Sequence, residues 1–324
     1  MHISTRGLKE SCALRRQLLP QGSLAVITDL ARSAPDEYYL GIRDNAINLY
    51  YMGGSLLKVG SRGTTFGFNN DYHTDQTNSK KYASITEWFN DLENIKAAVK
   101  NHQTVKTKNE KIVQQQILSS NNANHEADYF LVDMEYSVSG FSYGRFDYIA
   151  ITRKPNAEGK YSIALIELKY GVGAFSTSRK SGAYGSGIVG HANNFNRFIY
   201  GKNGKRELLG GKQDPLVHLR EEILNIIRNY KDFNLLDREL FTDIAEDKIL
   251  IDENTIQTLF LCVGCPDVTG AIQKAKKYLG VHPTANAKYT TKNIELNPAL
   301  NLRWHIAANP TVPAINSANF IEII

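Results

Sequence analysis

Between residues 38 and 68 short apolar and aromatic runs alternate with turn pairs: YYLGIR, Asp44-Asn45, INLYYM, Gly53-Gly54, SLLKV and TTFGF. This pattern predicts a β-meander. The period then changes. Ile85, Trp88, Leu92, Ile95 and Val99 recur at spacings of three and four, and Ser84-x-x-Glu87 supplies a capping box ahead of them, which predicts a helix. A second box, Thr107-x-x-Glu110, predicts a helix through about Ser119, and the Asn-rich SSNNANHEA reads as a loop.

Three strand-like runs follow, YFLVDMEYSV (129–138), RFDYIAIT (145–152) and YSIALIELKY (161–170). Their short, turn-rich connections favour antiparallel neighbours. Ile188, Ala192, Phe195 and Ile199 return to helical spacing, and Asp214-Pro215 offers an N-cap and a helix-opening proline for a helix through about Tyr230. Ile256–Val263 reads as a buried strand, Asp267 as the cap of a helix to Leu279, and the neighbourhood of Trp304 as a further strand. This order of elements describes an α/β (α+β) protein with a mixed sheet against helices. It divides into a β-rich accessory domain at 1–100, ending in a helix, and a second domain at 101–324.

Composition narrows the class. The 324 residues are 42% hydrophobic and 22% charged, as in an ordinary globular chain, with a net charge of +5. No apolar run reaches the ~18 residues of a membrane span, and the polar start is unlike a signal peptide, so a soluble cytoplasmic protein is expected. The three cysteines, Cys12, Cys262 and Cys265, form no disulfide framework. The lone Cys262-Val-Gly-Cys265 lacks the second ligand pair of a zinc site and reads as buried thiols.

Two carboxylates and a lysine stand where strands would otherwise carry apolar residues: Asp147 in RFDYIAI, and Glu167 and Lys169 in YSIALIELKY. Alternation puts Glu167 and Lys169 on one face, and pairing of the two strands brings Asp147 beside Glu167. Two hard oxygen ligands on adjacent strands, with the backbone carbonyl of Leu168 as a third, suit Mg²⁺ or Mn²⁺. The apolar flanks Ile163–Ile166 and Leu168 mark a central strand, where charge is costly unless paired or metal-bound. The plainer reading is a row of polar positions on a half-solvated sheet.

Asp147, nineteen intervening residues, then Glu167-Leu168-Lys169, set within helix, three strands and helix, resembles the PD-(D/E)XK, or restriction-endonuclease-like, nuclease superfamily. The resemblance covers about residues 104–265, with Phe146 where many members carry proline. It implies a restriction-endonuclease-like core with a mixed central sheet flanked by helices. It further implies metal binding by Asp147 and Glu167, assistance to the attacking water by Lys169, and nucleic acid, DNA more often than RNA, as substrate. Cutting both strands of a duplex recruits two sites, so a homodimer is a further expectation. The alternative function is a catalytically silent nucleic-acid-binding or interaction module on the same fold.

Supporting residues are read two ways. Glu110 matches the first-helix carboxylate of many members, although its capping box explains it equally well. Asp133 and Glu135 share a strand face and either approach the metal or meet water. His191, at the edge of an apolar helical stripe, is a structural histidine or a phosphate contact, with Asn194 and Arg197 as polar neighbours. From 145 to 212 there are twelve Lys and Arg against four Asp and Glu, whereas 213–253 carries five against eleven. The basic excess around the motif suits a polyanion, with Arg179, Lys180, Lys202, Lys205 and Arg206 as candidate phosphate contacts.

Overall fold

The computed structural model describes residues 6–67, 81–105, 109–138, 143–171, 187–202, 204–236, 249–264, 267, 269–270, 273, 296–307, 314–316 and 320–321. Arg179, Lys180, Thr107, Cys265 and most of the helix predicted after Asp267 lie outside them. Two helices open the chain, α1 (Ala13–Leu18) and α2 (Ala25–Ser33). The meander then runs as β1 (Tyr38–Arg43), β2 (Ala46–Tyr51), β3 (Gly54–Val59), β4 (Phe66–Gly67) and β5 (Lys81–Tyr82), an antiparallel sheet in sequence order.

The β2–β3 turn falls on Met52 and Gly53, both with positive φ, as a tight hairpin requires. Gly53 is needed for a second reason: a Cβ there would lie 2.4 Å from the carbonyl oxygen of Lys111. The turn is therefore pressed against the helix that carries Lys111. The single helix predicted from residue 85 is two, α3 (Ile85–Asn90) and α4 (Leu92–Val105), parted at Asp91. Ser84 caps α3 by accepting from the amide of Glu87 at 3.1 Å, and Glu87 accepts in return from the amide of Ala83 at 2.7 Å.

The remaining elements are α5 (Asn109–Ala123), β6 (Tyr129–Ser137), β7 (Arg145–Thr152), β8 (Lys160–Tyr170), α6 (Ile188–Tyr200), α7 (Pro215–Asp232), β9 (Leu250–Val263), β10 (Leu302–Ala307) and β11 (Phe320–Ile321). Strands β6 to β11 form a second sheet in sequence order: β6, β7 and β8 antiparallel, β8–β9 and β9–β10 parallel, β10–β11 antiparallel. The protein is thus a mixed α/β structure with helices against its sheets. Asp214 caps α7 at 2.8 Å through the amide of Leu216, with Pro215 in its first turn.

Strand alternation sorts the second sheet into two apolar layers. Ile163 and Leu165 of β8 join α6 and α7 through Phe195, Ile223 and Ile226, whereas Ala164, Ile166 and Leu168 join α5 through Val113 and Ile117. The first layer is continuous with Leu8, Ile27, Leu49 and Trp88 of the N-terminal region. Helix α5 extends past Ser119 into the Asn-rich segment read as loop. The reason is not local: Asn121 donates to the carbonyl of Tyr129 and Asn122 brackets Leu131 at both its amide and its carbonyl, all at 2.9 Å. Their amides close the start of β6, and this rewards a helical backbone.

Candidate active site

The β7–β8 register ends at Tyr148↔Ile166, and continued by one residue it sets Asp147 opposite Glu167. Beyond that point the amide of Leu168 donates to Oδ2 of Asp147 at 2.7 Å. A side-chain carboxylate is thus hydrogen-bonded to the main chain where the strand pairing ends. In a strand the N–H and C=O of one residue point to the same side, so the Leu168 carbonyl is also directed toward β7. Asp147 is half-buried, while Glu167 and Lys169 are only 4% and 5% exposed. Lys169 Nζ lies 2.8 Å from Glu167 Oε1, as their shared strand face requires. His191 of α6 brings Nδ1 to 2.9 Å from the same oxygen.

The electrostatics divide the two carboxylates. Burial, then the facing Glu167, push the Asp147 carboxyl well above its ordinary value, and Lys169 and the Leu168 amide only partly offset this. Burial would raise Glu167 as well. Hydrogen bonding from His191 and attraction to Lys169 outweigh it and hold that carboxyl below its usual range.

Three further acidic and polar groups reach the same place. Glu110 stands exposed in the first turn of α5. Desolvation raises its carboxyl, opposed by Lys169 and reinforced by Glu167 and Glu135. Glu135 falls between the pairs Met134↔Tyr148 and Tyr136↔Phe146, in register with Asp147. Its φ of 54° is left-handed, its side chain is exposed, and Lys111 Nζ lies 3.9 Å from its Oε1. Gln114, not singled out by the sequence reading, donates Nε2 to the carbonyl of Asp147 at 3.0 Å and accepts from the Tyr148 hydroxyl at its own carbonyl at 2.8 Å. Its spacing of four from Glu110 on an amphipathic helix is the signal that would have found it.

Asp133 does not join the site. It is fully buried, paired with Arg6 and Arg43, and accepts from the Tyr39 hydroxyl at 2.6 Å. The β6 register shifts just before Asp133 and Glu135 takes a left-handed φ, so the two do not behave as one strand face: Asp133 is buried and Glu135 exposed.

On α6, His191, Asn194 and Arg197 are all half-buried. Arg197 packs its guanidinium 4.6 Å from the ring centre of Tyr143, just ahead of β7. Lys202, Lys205 and Arg206 lie past the far end of α6, about 14 Å of helix axis beyond His191. Lys202 and Lys205 close a tight turn through their backbones, and Arg206 pairs with Asp214 at 2.8 Å. The structure therefore gathers Glu110, Glu135, Asp147, Glu167, Lys169 and His191, and leaves the lysine-rich turn apart from them.

Among the described residues no three or more His, Cys, Asp or Glu side chains converge to hold a metal ion. The donor set that fits a hard divalent cation is Asp147, Glu167 and the Leu168 carbonyl, all oxygens at the end of one strand pair. No helix among the described residues is long and apolar enough to cross a membrane. No family model matches this chain, nor does any curated protein or solved structure.

Proposed function

We propose that the protein is a divalent-metal-dependent nuclease with a restriction-endonuclease-like core, acting on DNA in preference to RNA. The observation that carries this reading is the juxtaposition of Asp147 and Glu167 at the end of the β7–β8 pair, with the Lys169 ammonium on Glu167. The run α5, β6, β7, β8, α6, with β9 returning parallel to β8, supports it.

In this reading Asp147, Glu167 and the Leu168 carbonyl hold Mg²⁺ or Mn²⁺, which when bound polarises the phosphodiester and acidifies a water. Lys169, paired with Glu167 at 2.8 Å, orients that water and opposes the negative charge that grows on the phosphoryl oxygens. His191 fixes Glu167 from α6, and Gln114 fixes the backbone of Asp147 from α5. Asn194 and Arg197, on the same helix as His191, are placed to meet the flanking backbone, while Lys202 and Lys205 meet phosphates farther out.

The test is incubation with end-labelled single- and double-stranded DNA and RNA in Mg²⁺, Mn²⁺ or EDTA, beside Glu167→Gln. Metal-dependent cleavage that the variant lacks is expected. A second reading, a silent nucleic-acid-binding module, is favoured by one observation: Lys169 and His191 both crowd one oxygen of Glu167. Retarded but intact substrate in every metal condition, with affinity preserved in EDTA, would decide for it.

A further inference from the structure

In a regular strand, residues two apart share a face. Along β6 and β7 that rule fails at one place, and it fails in both strands together. Met134 and Tyr148, paired across the strands, pack in the layer of α5, whereas the next pair, Tyr136 and Phe146, packs in the layer of α6. The Tyr148 hydroxyl reaches the carbonyl of Gln114 on α5, and the Phe146 ring stacks 5.5 Å from Phe195 on α6. Between these pairs stand Glu135 and Asp147. The change of face is centred on Glu135, whose φ of 54° lies outside the extended region and is costly for a residue with a Cβ.

Such a conformation persists only where its surroundings impose it. Here they come from the N-terminal region. Arg6, 7% exposed, donates Nη2 to the carbonyl of Glu135 at 2.9 Å, pairs through Nη1 with Asp133, and lays its guanidinium 5.0 Å from the ring centre of Tyr136. Arg43 donates to the carbonyl of Met134 at 3.3 Å. Arg6 is itself fixed through the backbone. Its amide donates to Glu222 of α7 at 2.6 Å, and the Asn229 side chain holds both the amide and the carbonyl of Leu8, at 2.6 and 3.0 Å. Gly7, between them, has a φ of 111° and lies so close to α7 that a Cβ would fall 2.6 Å from that of Asn225. Residues 6–8 are thus strapped to α7, with the Arg6 side chain directed at β6.

We infer that Arg6 is a positioning residue of the carboxylate site: it holds the left-handed turn at Glu135, and that turn sets Asp147 where its carboxylate accepts the Leu168 amide. The turn sends Met134 and Tyr136 into opposite layers. Their partners Tyr148 and Phe146 follow, and Asp147 is fixed between them. The inference rests on the reading of Asp147 and Glu167 as the site, but its first readout needs neither metal nor substrate.

That readout is the Leu168 amide proton in the NMR spectrum of the intact protein, which its 2.7 Å bond to Asp147 moves downfield. Arg6→Lys keeps a charge for Asp133 but lacks the fork that also spans Glu135, and the Leu168 proton should move upfield. Glu135→Val leaves Arg6 in place and changes an exposed side chain, but a β-branched residue resists positive φ, so the same upfield shift is expected. Adding Glu135→Gly to Arg6→Lys should restore the wild-type position, because glycine takes the left-handed turn without help. Under the nuclease reading Arg6→Lys also lowers kcat by roughly 10²-fold at unchanged KM. A wild-type protein that cleaves nothing would overturn that reading and not this inference, which the Leu168 proton decides. An unmoved proton in Arg6→Lys or in Glu135→Val overturns it. So does a shift that Glu135→Gly fails to reverse, because Arg6 would then contribute stability alone.

Discussion

Asp133 and Asp147 are carboxylates on neighbouring strands of one sheet, and the protein treats them in opposite ways. Asp133 is enclosed by two guanidiniums and a tyrosine hydroxyl drawn from the N-terminal region. Burial alone would raise its carboxyl, but Arg43, Arg6 and Tyr39 more than compensate and hold it below its ordinary value. Asp147 has one backbone amide and faces another carboxylate, and its carboxyl is raised. One charge is neutralised by the fold, so it holds the fold together. The other is left with an excess of negative charge around it, which a cation would balance.

The sharpest test applies the same substitution at both places. Asp133→Asn should cost about 3–5 kcal/mol in urea denaturation, because it leaves Arg6 and Arg43 buried without a counter-charge. Asp147→Asn, measured without metal, should be neutral or stabilising, since it removes repulsion with Glu167. Equal destabilisation by the two would end the distinction drawn here. Next in size is the effect on chemistry. Under the nuclease reading Asp147→Asn should lower metal-dependent cleavage by roughly 10²–10³-fold with its fold unchanged by circular dichroism. Wild-type rates in that variant would remove Asp147 from the site.

An acid titration of stability separates Asp133 from a second buried group. His305 on β10 is 1% exposed, and burial lowers its pKa from 6.5 to about 4. The unfolded chain therefore takes up this proton first: stability is complete above pH 6.5 and falls by roughly 3 kcal/mol as pH drops toward 4. Asp133, lowered from 3.8, contributes stability that is present above 3.8 and lost only as pH falls through its still lower folded value. His305→Gln should flatten the first part of the profile and leave the second, and a profile that the substitution does not alter would contradict this assignment.

The smallest expected effect is at the outer basic turn. Lys205→Ala should reduce the salt slope of nucleic-acid binding by about one, without changing cleavage at saturating substrate. An unchanged slope would remove that turn from the contact surface.

Much of the core is legible in the sequence because its signals are local. The capping box at Ser84, the alternation in β8 and in β7 from Tyr148 onward, and the spacing in α6 and α7 each lie within a window of a few residues, and the structure follows them. The same alternation puts Glu167 and Lys169 on one face, and the apolar flanks mark β8 as the strand between β7 and β9. Other features were not visible: α1 and α2, the break at Asp91, the helical asparagines at the end of α5, and the role of Gln114. Each depends on a partner brought by packing, such as the meander turn at Gly53, whose amide donates to Gln115 of α5 at 2.7 Å.

By itself, then, the sequence determined the order of most helices and strands from β1 onward and which groups of β8 share a strand face, because periodicity binds neighbours along the chain. Only the tertiary structure decided what each charge meets. Asp133 and Glu135 look alike in YFLVDMEYSV, yet one is claimed by arginines from the first 43 residues while the other stands beside Lys111 of α5. A carboxylate's role depends on the charges within a few ångströms of it, and those come from distant parts of the chain.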